Sequence, residues 1–119
     1  MSTSFGELIG NARKAHQRSL RHLAEELDLS PSYLNDIEHN RRVPSAQVVI
    51  ALASALDLDS DTLLAAAGRV GDDAEVYLKA EPSAGVLLRT VSNGGLSDED
   101  LRKLIKSAHK IIRDRDSET

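Results

Sequence analysis

Apolar residues recur at helical spacing along most of the chain, and the segment Leu20–Arg42 carries two such periods in succession (LRHLAEELDLSPSYLNDIEHNRR). In its first half, Leu23, Ala24 and Leu27 follow the i, i+1, i+4 spacing of a single buried helical face. The period breaks at Asp28. This pattern predicts a short helix that packs by its leucines and ends there.

A second short helix is predicted directly afterwards. Ser30 and Pro31 form a start signal, because a serine side chain caps the first turn and proline loses nothing at the first helical position. Leu34 and Ile37 point inward at i, i+3, and the helix is expected to end near His39. Polar side chains are expected to face outward: Ser32, Tyr33, Asn35 and Asp36. The segment is therefore predicted to form a helix-turn-helix.

A helix over Phe5–His16 is predicted before this pair. Its apolar face consists of Phe5, Leu8, Ile9 and Ala12. Gly6 and Gly10 leave little bulk on the helix surface, and the charged residues around them exclude a membrane span. We therefore expect this helix to pack closely against a neighbouring helix.

Two further helices are predicted after the pair. Pro44 with Ser45 opens the first of them, and either Asp59 or Ser60 caps the second. Gly68 is the expected left-handed cap at its end. With these, the sequence predicts five helices in the first half of the chain.

These features together resemble the Xre/Cro family of phage-type repressors over Phe5–Gly68. The residues that carry the resemblance are Ala24, Leu29, the SPSYLNDIE stretch and the P-S-x6-L-A-x-A-L pattern of Pro44–Leu56. The resemblance implies an all-α protein with a five-helix, phage-repressor-like, DNA-binding helix-turn-helix domain over residues 1–68. A small helical region over residues 69–119 is expected to serve dimerisation or partner binding. The resemblance also implies a structural ion pair between Arg13 and Glu38 that ties the first helix to the end of the second helix of the motif.

The sequence departs from the family at two kinds of position. Family members place glycine where this chain has Asp28 and Asn40, two residue types that tolerate a left-handed backbone. Related repressors begin both motif helices with glutamine, whereas this chain has Leu20 and Pro31. Base reading is therefore expected from other side chains, namely Ser32, Asn35 and Asp36.

The C-terminal region is predicted to hold shorter helices and one long one. Ser83 is the expected cap of a piece that carries Val86–Val91, and Ser97 with Asp100 forms a capping box for the last helix. That helix has a continuous apolar stripe: Leu101, Leu104, Ile105, Ala108, Ile111 and Ile112. The stripe can be covered by Val86–Val91 or by another chain, and we expect a second copy to cover it. The last residues, 114–119, are expected to fray.

Net charge at first argues against a nucleic-acid ligand, because the 119-residue chain carries a formal charge of -4. The distribution of charge weakens that objection, since cations cluster before the motif and directly after it. The expected DNA-backbone contacts are Arg18, Arg21, Tyr33, Arg41 and Arg42. A solvated surface of mixed charge is the alternative interpretation.

Composition excludes several other functions. The chain has no cysteine and no apolar run of 18 residues, and its first residues do not resemble a secretory signal, so we expect a cytoplasmic protein without a membrane anchor. The four histidines are scattered and the serines lie where helix starts need caps, so we expect neither a metal site, nor a cofactor, nor an enzyme.

The resemblance leads to one main functional hypothesis and one alternative. The main hypothesis is a homodimeric repressor that reads a palindromic operator on double-stranded DNA through the major groove. The alternative is an antitoxin or adaptor whose C-terminal helices bind a protein partner and whose DNA binding serves autoregulation. Such a partner would be a toxin, an antirepressor or a protease.

Overall fold

The structure, a computed structural model, describes residues 3–118, and within that range it contains eight α-helices and no strand. They are α1 (Phe5–Ala15), α2 (Leu20–Glu26), α3 (Pro31–Glu38), α4 (Ala46–Ala55), α5 (Ser60–Ala66), α6 (Asp72–Ala80), α7 (Pro82–Gly94) and α8 (Asp98–Ser117). The all-α prediction is confirmed, with α2 and α3 forming the helix-turn-helix. None of the described helices is long and apolar enough to cross a membrane.

Side-chain caps begin each of the first five helices. The capping residues accept a hydrogen bond from the backbone N–H three residues on, and they are Ser4, Ser19, Ser30, Ser45 and Asp59. Each of the four serine caps contributes about 1 kcal/mol. Of the two residues expected to cap α5, Asp59 does so, and hydrogen bonds from the hydroxyl and then the backbone N–H of Thr62 lower its pKa. The start of α3 at Ser30 and Pro31 is as predicted.

Each of the first five helices ends in one residue of left-handed backbone. These residues and their φ values are Gln17 (56°), Asp28 (56°), Asn40 (59°), Asp57 (54°) and Gly68 (70°). The turn lets the following N–H bond back to the helix, as Leu29 does to the Ala24 carbonyl at 2.8 Å. Asp28 and Asn40 therefore do replace glycine, as the sequence predicted.

The five helices α1 to α5 pack around one hydrophobic core. Its buried members are Phe5, Ile9, Leu23, Ala24, Leu34, Val49, Leu52, Ala53, Leu56 and Leu63. All five helices contribute, and no side-chain nitrogen or oxygen buried in the described residues lacks a hydrogen-bond partner. The core therefore fixes the inner face of α3 and leaves the outer face free.

The second part of the chain has a different character. The chain divides into compact units at residues 1–76 and 77–119, and the helices α6, α7 and α8 contain no buried residue. Arg69, which lies between α5 and α6, donates to the Pro44 carbonyl (3.2 Å) and to Glu75 Oε1 (3.0 Å). This anchors the start of α6 to the first unit.

The C-terminal helix boundaries correct two predictions. Helix α7 starts at Pro82 after Glu81 and has no side-chain cap, so Ser83 is not its cap; proline takes the first position because its missing N–H is not needed there. The capping box of Ser97 and Asp100 is confirmed. Helix α8 continues to Ser117, so fraying from residue 114 is wrong, while Thr119 lies outside the described residues.

The apolar stripe of α8 is open to solvent in the single chain. Its large side chains are 38–67% exposed: Leu101, Leu104, Ile105, Ile111 and Ile112. On α7, Val86, Leu87 and Leu88 are also more than half exposed. The residues Val86–Val91 therefore do not bury the stripe.

A close approach of α1 to the end of α3 positions the motif. The Gly6 N–H donates to Asn40 Oδ1 (2.9 Å), and Asn40 Nδ2 donates to Ser4 Oγ (2.9 Å). A side chain at Gly6 has no room, since a Cβ there would meet the Glu38 carbonyl, the Ile37 carbonyl at 2.7 Å and Asn40 Oδ1 at 2.8 Å. The expected close packing of this helix is therefore confirmed.

The substitution Gly6→Ala should lower the free energy of unfolding by about 1 to 3 kcal/mol, because the new methyl group overlaps backbone atoms that cannot move away. Urea unfolding followed by circular dichroism measures the change. Gly10→Ala is the matched control on the same helix, since its Cβ would meet side-chain atoms of Glu38 and no backbone, the nearest atom being Oε1 at 3.2 Å. Equal stability of the two variants would contradict this account of the contact.

Candidate nucleic-acid interface

Helix α3 separates a buried face from an open one. Leu34 and Ile37 are at most 1% exposed, whereas Ser32 is exposed and Asn35 and Asp36 are partly exposed. The three side chains expected to read bases thus occur on the side of α3 that the core leaves free. Polar groups on an open helix face are the usual means of contacting base edges in the major groove.

Asp36 is held by an arginine that follows the helix. Arg41 Nε donates to Asp36 Oδ1 over 2.9 Å, and the two side chains are 55% and 31% exposed. The arginine compensates the negative charge of this carboxylate on the open face of α3. The sequence analysis assigned the two residues separately and did not predict this pair, which joins residues five apart across a helix end.

Arg42 is also placed by a residue of α3. Its guanidinium carbon lies 4.7 Å from the centre of the Tyr33 ring, within the range of a cation–π interaction. The arginine remains exposed, and the tyrosine is partly buried. Both cations after α3 are therefore held by the side chains of α3 itself.

Arg13 and Glu38 form a two-pronged ion pair behind the open face. Arg13 Nε lies 2.7 Å from Glu38 Oε2 and Nη2 lies 3.1 Å from Oε1, with the side chains 13% and 9% exposed. The hydrogen bond to Glu38 is the main cause that raises the pKa of Arg13. Its Nη1 also donates to the Arg18 carbonyl (2.8 Å). One guanidinium thus joins α1, the end of α3 and the turn before α2.

Arg18 and Arg21 differ in what they can offer to a phosphate. Arg18 Nη1 donates to Glu26 Oε2 (3.0 Å) and to the Ala55 carbonyl (2.9 Å), so this arginine bridges α2 and the end of α4. Arg21 is exposed, and in the described part of the chain it has no hydrogen-bond partner. The structure therefore leaves Arg21 the freer of the two.

A surface hollow of about 340 Å³ lies beside the ion pair. Its lining residues are Gly6, Glu7, Gly10, Asn11, Arg13, Lys14, Leu20, Asn35, Glu38 and His39. They come from α1, the start of α2 and the end of α3. Within residues 3–118 no group of three or more His, Asp or Glu side chains is arranged to hold a metal ion.

Comparison with known proteins identifies the family. A family model described as helix-turn-helix matches residues 9–63. The transcriptional regulator ClgR of Mycobacterium tuberculosis is 31% identical over 78 residues, which are 66% of this chain and 70% of that protein. The chain belongs to the Xre-like helix-turn-helix family of transcriptional regulators. The predicted family is confirmed.

Two further similarities concern this family. The ImmF control region 10 kDa protein of Bacillus phage phi105 is 34% identical over 59 residues, half of this chain and 66% of that protein. The second is a crystal structure of SinR, the master regulator for biofilm formation, in complex with DNA. The SinR chain is 38% identical in sequence to this chain, and the match covers 50% of this chain and 97% of the SinR chain, with a TM-score of 0.47. Membership of the Xre-like family makes this protein a DNA-binding transcriptional regulator.

Loss of one partner of the Arg13–Glu38 pair should be costly. Arg13→Met leaves the Glu38 carboxylate almost buried without a counter-charge, and we expect a loss of about 3 kcal/mol in the free energy of unfolding. The double variant Arg13→Met/Glu38→Met should regain much of it, since no charge is then stranded. Urea unfolding of the four proteins of this cycle gives the coupling energy.

Arg102→Met is the control for an exposed pair. Arg102 and Asp98 are 75% and 79% exposed, and removal of so exposed a pair should leave the stability close to that of the wild type. An Arg13→Met protein as stable as Arg102→Met would show that the Arg13–Glu38 pair does not hold the motif together.

Proposed function

We propose that this regulator is a homodimeric repressor that inserts α3 of each copy into the major groove at one half-site of a palindromic operator. The observation that carries the proposal is the open polar face of α3, which is flanked by two cations that its own side chains hold. A single helix-turn-helix contacts few base pairs. Two-fold pairing doubles the contacts and matches half-sites about 34 Å apart or at a multiple of that distance.

Base reading is assigned to three side chains of α3. Asn35 suits adenine, with which an amide forms two hydrogen bonds, and Ser32 can donate to or accept from several base edges. Asp36 suits the amino group of cytosine, because a carboxylate can only accept. The ion pair with Arg41 supports this role, since the arginine reduces the repulsion between the carboxylate and DNA phosphates.

Backbone contacts are assigned to the cations and the phenol around this face. They are Arg21, Tyr33, Arg41 and Arg42. Such contacts set the position of the protein on the duplex and carry no direct sequence information. Arg18 is left out of this set because its guanidinium already bridges Glu26 and Ala55. Its proposed role is to hold α2 against α4.

Dimerisation is assigned to the apolar stripe of α8. Five large aliphatic side chains on one face of a helix are too much apolar surface to leave in water, and α7 does not bury them. A second copy is the partner that the proposed operator symmetry requires. A different protein bound to the same stripe, as in an antitoxin or adaptor, is the second candidate, and it is favoured by the same exposure.

Selection from random duplex DNA should return an inverted repeat. Each half-site should contain an adenine that Asn35 contacts and a cytosine that Asp36 contacts. We expect Asn35→Ala and Asp36→Ala each to relax the preference at one base pair per half-site by about 1 to 3 kcal/mol. Arg42→Ala should weaken binding to all sequences alike, because it removes a phosphate contact. Fluorescence anisotropy on single-base variants of the selected duplex measures both effects.

If the Asp36→Ala variant keeps the base selectivity of the wild type, the assignment of a cytosine contact to Asp36 is wrong. Arg41→Ala is the useful companion, since it frees the Asp36 carboxylate without removing it. We expect this variant to bind all sequences more weakly, and selection to return the same repeat.

The dimer assignment predicts that Ile105→Asp is monomeric, because it puts a charge at the centre of the stripe. Sedimentation equilibrium at micromolar concentration should give twice the 12.9 kDa chain mass for the wild type and the single mass for the variant. Asn93→Asp adds the same charge at an exposed position of α7 and should remain dimeric. A monomeric wild type would overturn the homodimer and favour the partner-protein alternative.

A further inference from the structure

Helix α8 has a second face, made of cations. The residues of this basic face follow each other at intervals of three, four and three: Lys103, Lys106, Lys110 and Arg113. Side chains at these intervals lie above one another on a helix. At 3.6 residues per turn, the basic face lies on the side of α8 opposite the apolar stripe. Burial of the stripe against a second copy therefore leaves the basic face open.

In the part of the chain that the structure describes, two of the four cations of the basic face are unpartnered, and the other two form only exposed ion pairs. Lys106 and Arg113 have no ion-pair or hydrogen-bond partner among residues 3–118. Lys103 Nζ is 3.9 Å from Asp100 Oδ1, and Lys110 Nζ is 2.7 Å from Asp114 Oδ2, but both lysine side chains are about 70% exposed. Pairs so open to water are weak. Together with Ser107, the four cations line a shallow hollow on the surface of α8.

Charge is divided unequally between the two compact units. Residues 1–76, which contain the helix-turn-helix, hold seven Lys and Arg against twelve Asp and Glu. Residues 77–119 hold eight against seven, and half of those eight form the basic face. The net field of the helix-turn-helix unit therefore opposes approach to DNA, and a group of exposed cations lies elsewhere in the chain.

We propose that the basic face of α8 binds the phosphate backbone of duplex DNA outside the half-site that α3 reads. This inference rests on the proposed function. From Lys103 to Arg113 the face is about 15 Å long at 1.5 Å per residue, which is long enough to meet several phosphates. Lysine and arginine are the usual backbone-contacting residues of DNA-binding proteins.

An acidic protein surface is the less suitable ligand for the basic face. Protein interfaces are depleted in lysine, which makes up three of the four cations here, and they are anchored by aromatic and apolar side chains that this face lacks. Binding of DNA phosphates, in contrast, requires only cationic side chains at a suitable spacing. The chemistry of the face therefore favours duplex DNA.

The test compares two double variants that remove one lysine and one arginine each. Lys106→Gln/Arg113→Gln removes the two unpartnered cations of the basic face, and Lys79→Gln/Arg89→Gln removes the same charge from exposed positions of α6 and α7. Circular dichroism and sedimentation equilibrium establish that both variants are folded and have the oligomeric state of the wild type. Binding is measured by fluorescence anisotropy over a range of salt concentrations.

The probes are two duplexes obtained by selection from random DNA with the wild-type protein. The core duplex contains only the selected sequence, and the extended duplex adds arbitrary sequence on both sides. Log affinity falls linearly with log salt concentration, by about 0.9 per phosphate contact. On the extended duplex, the basic-face variant lacks two such contacts in each protomer, so its slope should be shallower than that of the wild type by about 2 per protomer. On the core duplex it should bind as the wild type does, and the control variant should match the wild type on both.

Each contrary outcome has a distinct meaning. If the basic-face variant keeps the wild-type slope on the extended duplex while both bind the core, the proposed function stands. In that case the basic face is solvated or binds an acidic protein, and its assignment to DNA is wrong. If the wild type binds no duplex at all, the proposed function and this inference both fail.

Discussion

The arrangement of the DNA-binding unit depends on the contact between α1 and the end of α3. Helix α3 has eight residues, too few to be stable alone, so its orientation is set by what it packs against. Leu34 and Ile37 fix its inner face, and the Arg13–Glu38 pair fixes its end. Because Arg13 also bonds the Arg18 carbonyl, one side chain links the end of α3 to the turn that leads into α2. Such a nearly buried pair adds little net stability, yet its geometry leaves α3 few alternatives.

This fixed orientation has consequences on the opposite side of α3. Asp36 and Tyr33, on the open side, hold Arg41 and Arg42, the two cations that follow the helix. Long cationic side chains normally lose rotamer freedom when they bind a ligand. Here part of that freedom is already lost before any ligand arrives. The same contacts make the open face less acidic than the sequence of α3 indicates, since its aspartate is paired.

The sequence predicted the helices better than it predicted their polar contacts. Apolar spacing and capping residues locate α1 to α5, because both signals are local in the chain. Asp28 and Asn40 were identified as left-handed, whereas Gln17 was not, since glutamine has no special preference for that backbone. Arg18 was assigned to phosphate, but its guanidinium bonds Ala55, 37 residues away. Such a contact depends on how α2 and α4 pack, which spacing along the chain does not reveal.

An acidic regulator must bind a polyanion with few cations, so the position of each cation matters more than the total charge. Arg13 and Arg18 are committed to holding the motif together. Arg41 and Arg42 are held beside α3. The cations of α8 face away from its apolar stripe, so association through that stripe does not bury them. A chain that dimerises by one face of α8 and meets phosphate by the other would couple assembly to DNA affinity, because each copy that joins brings its own cations to the duplex.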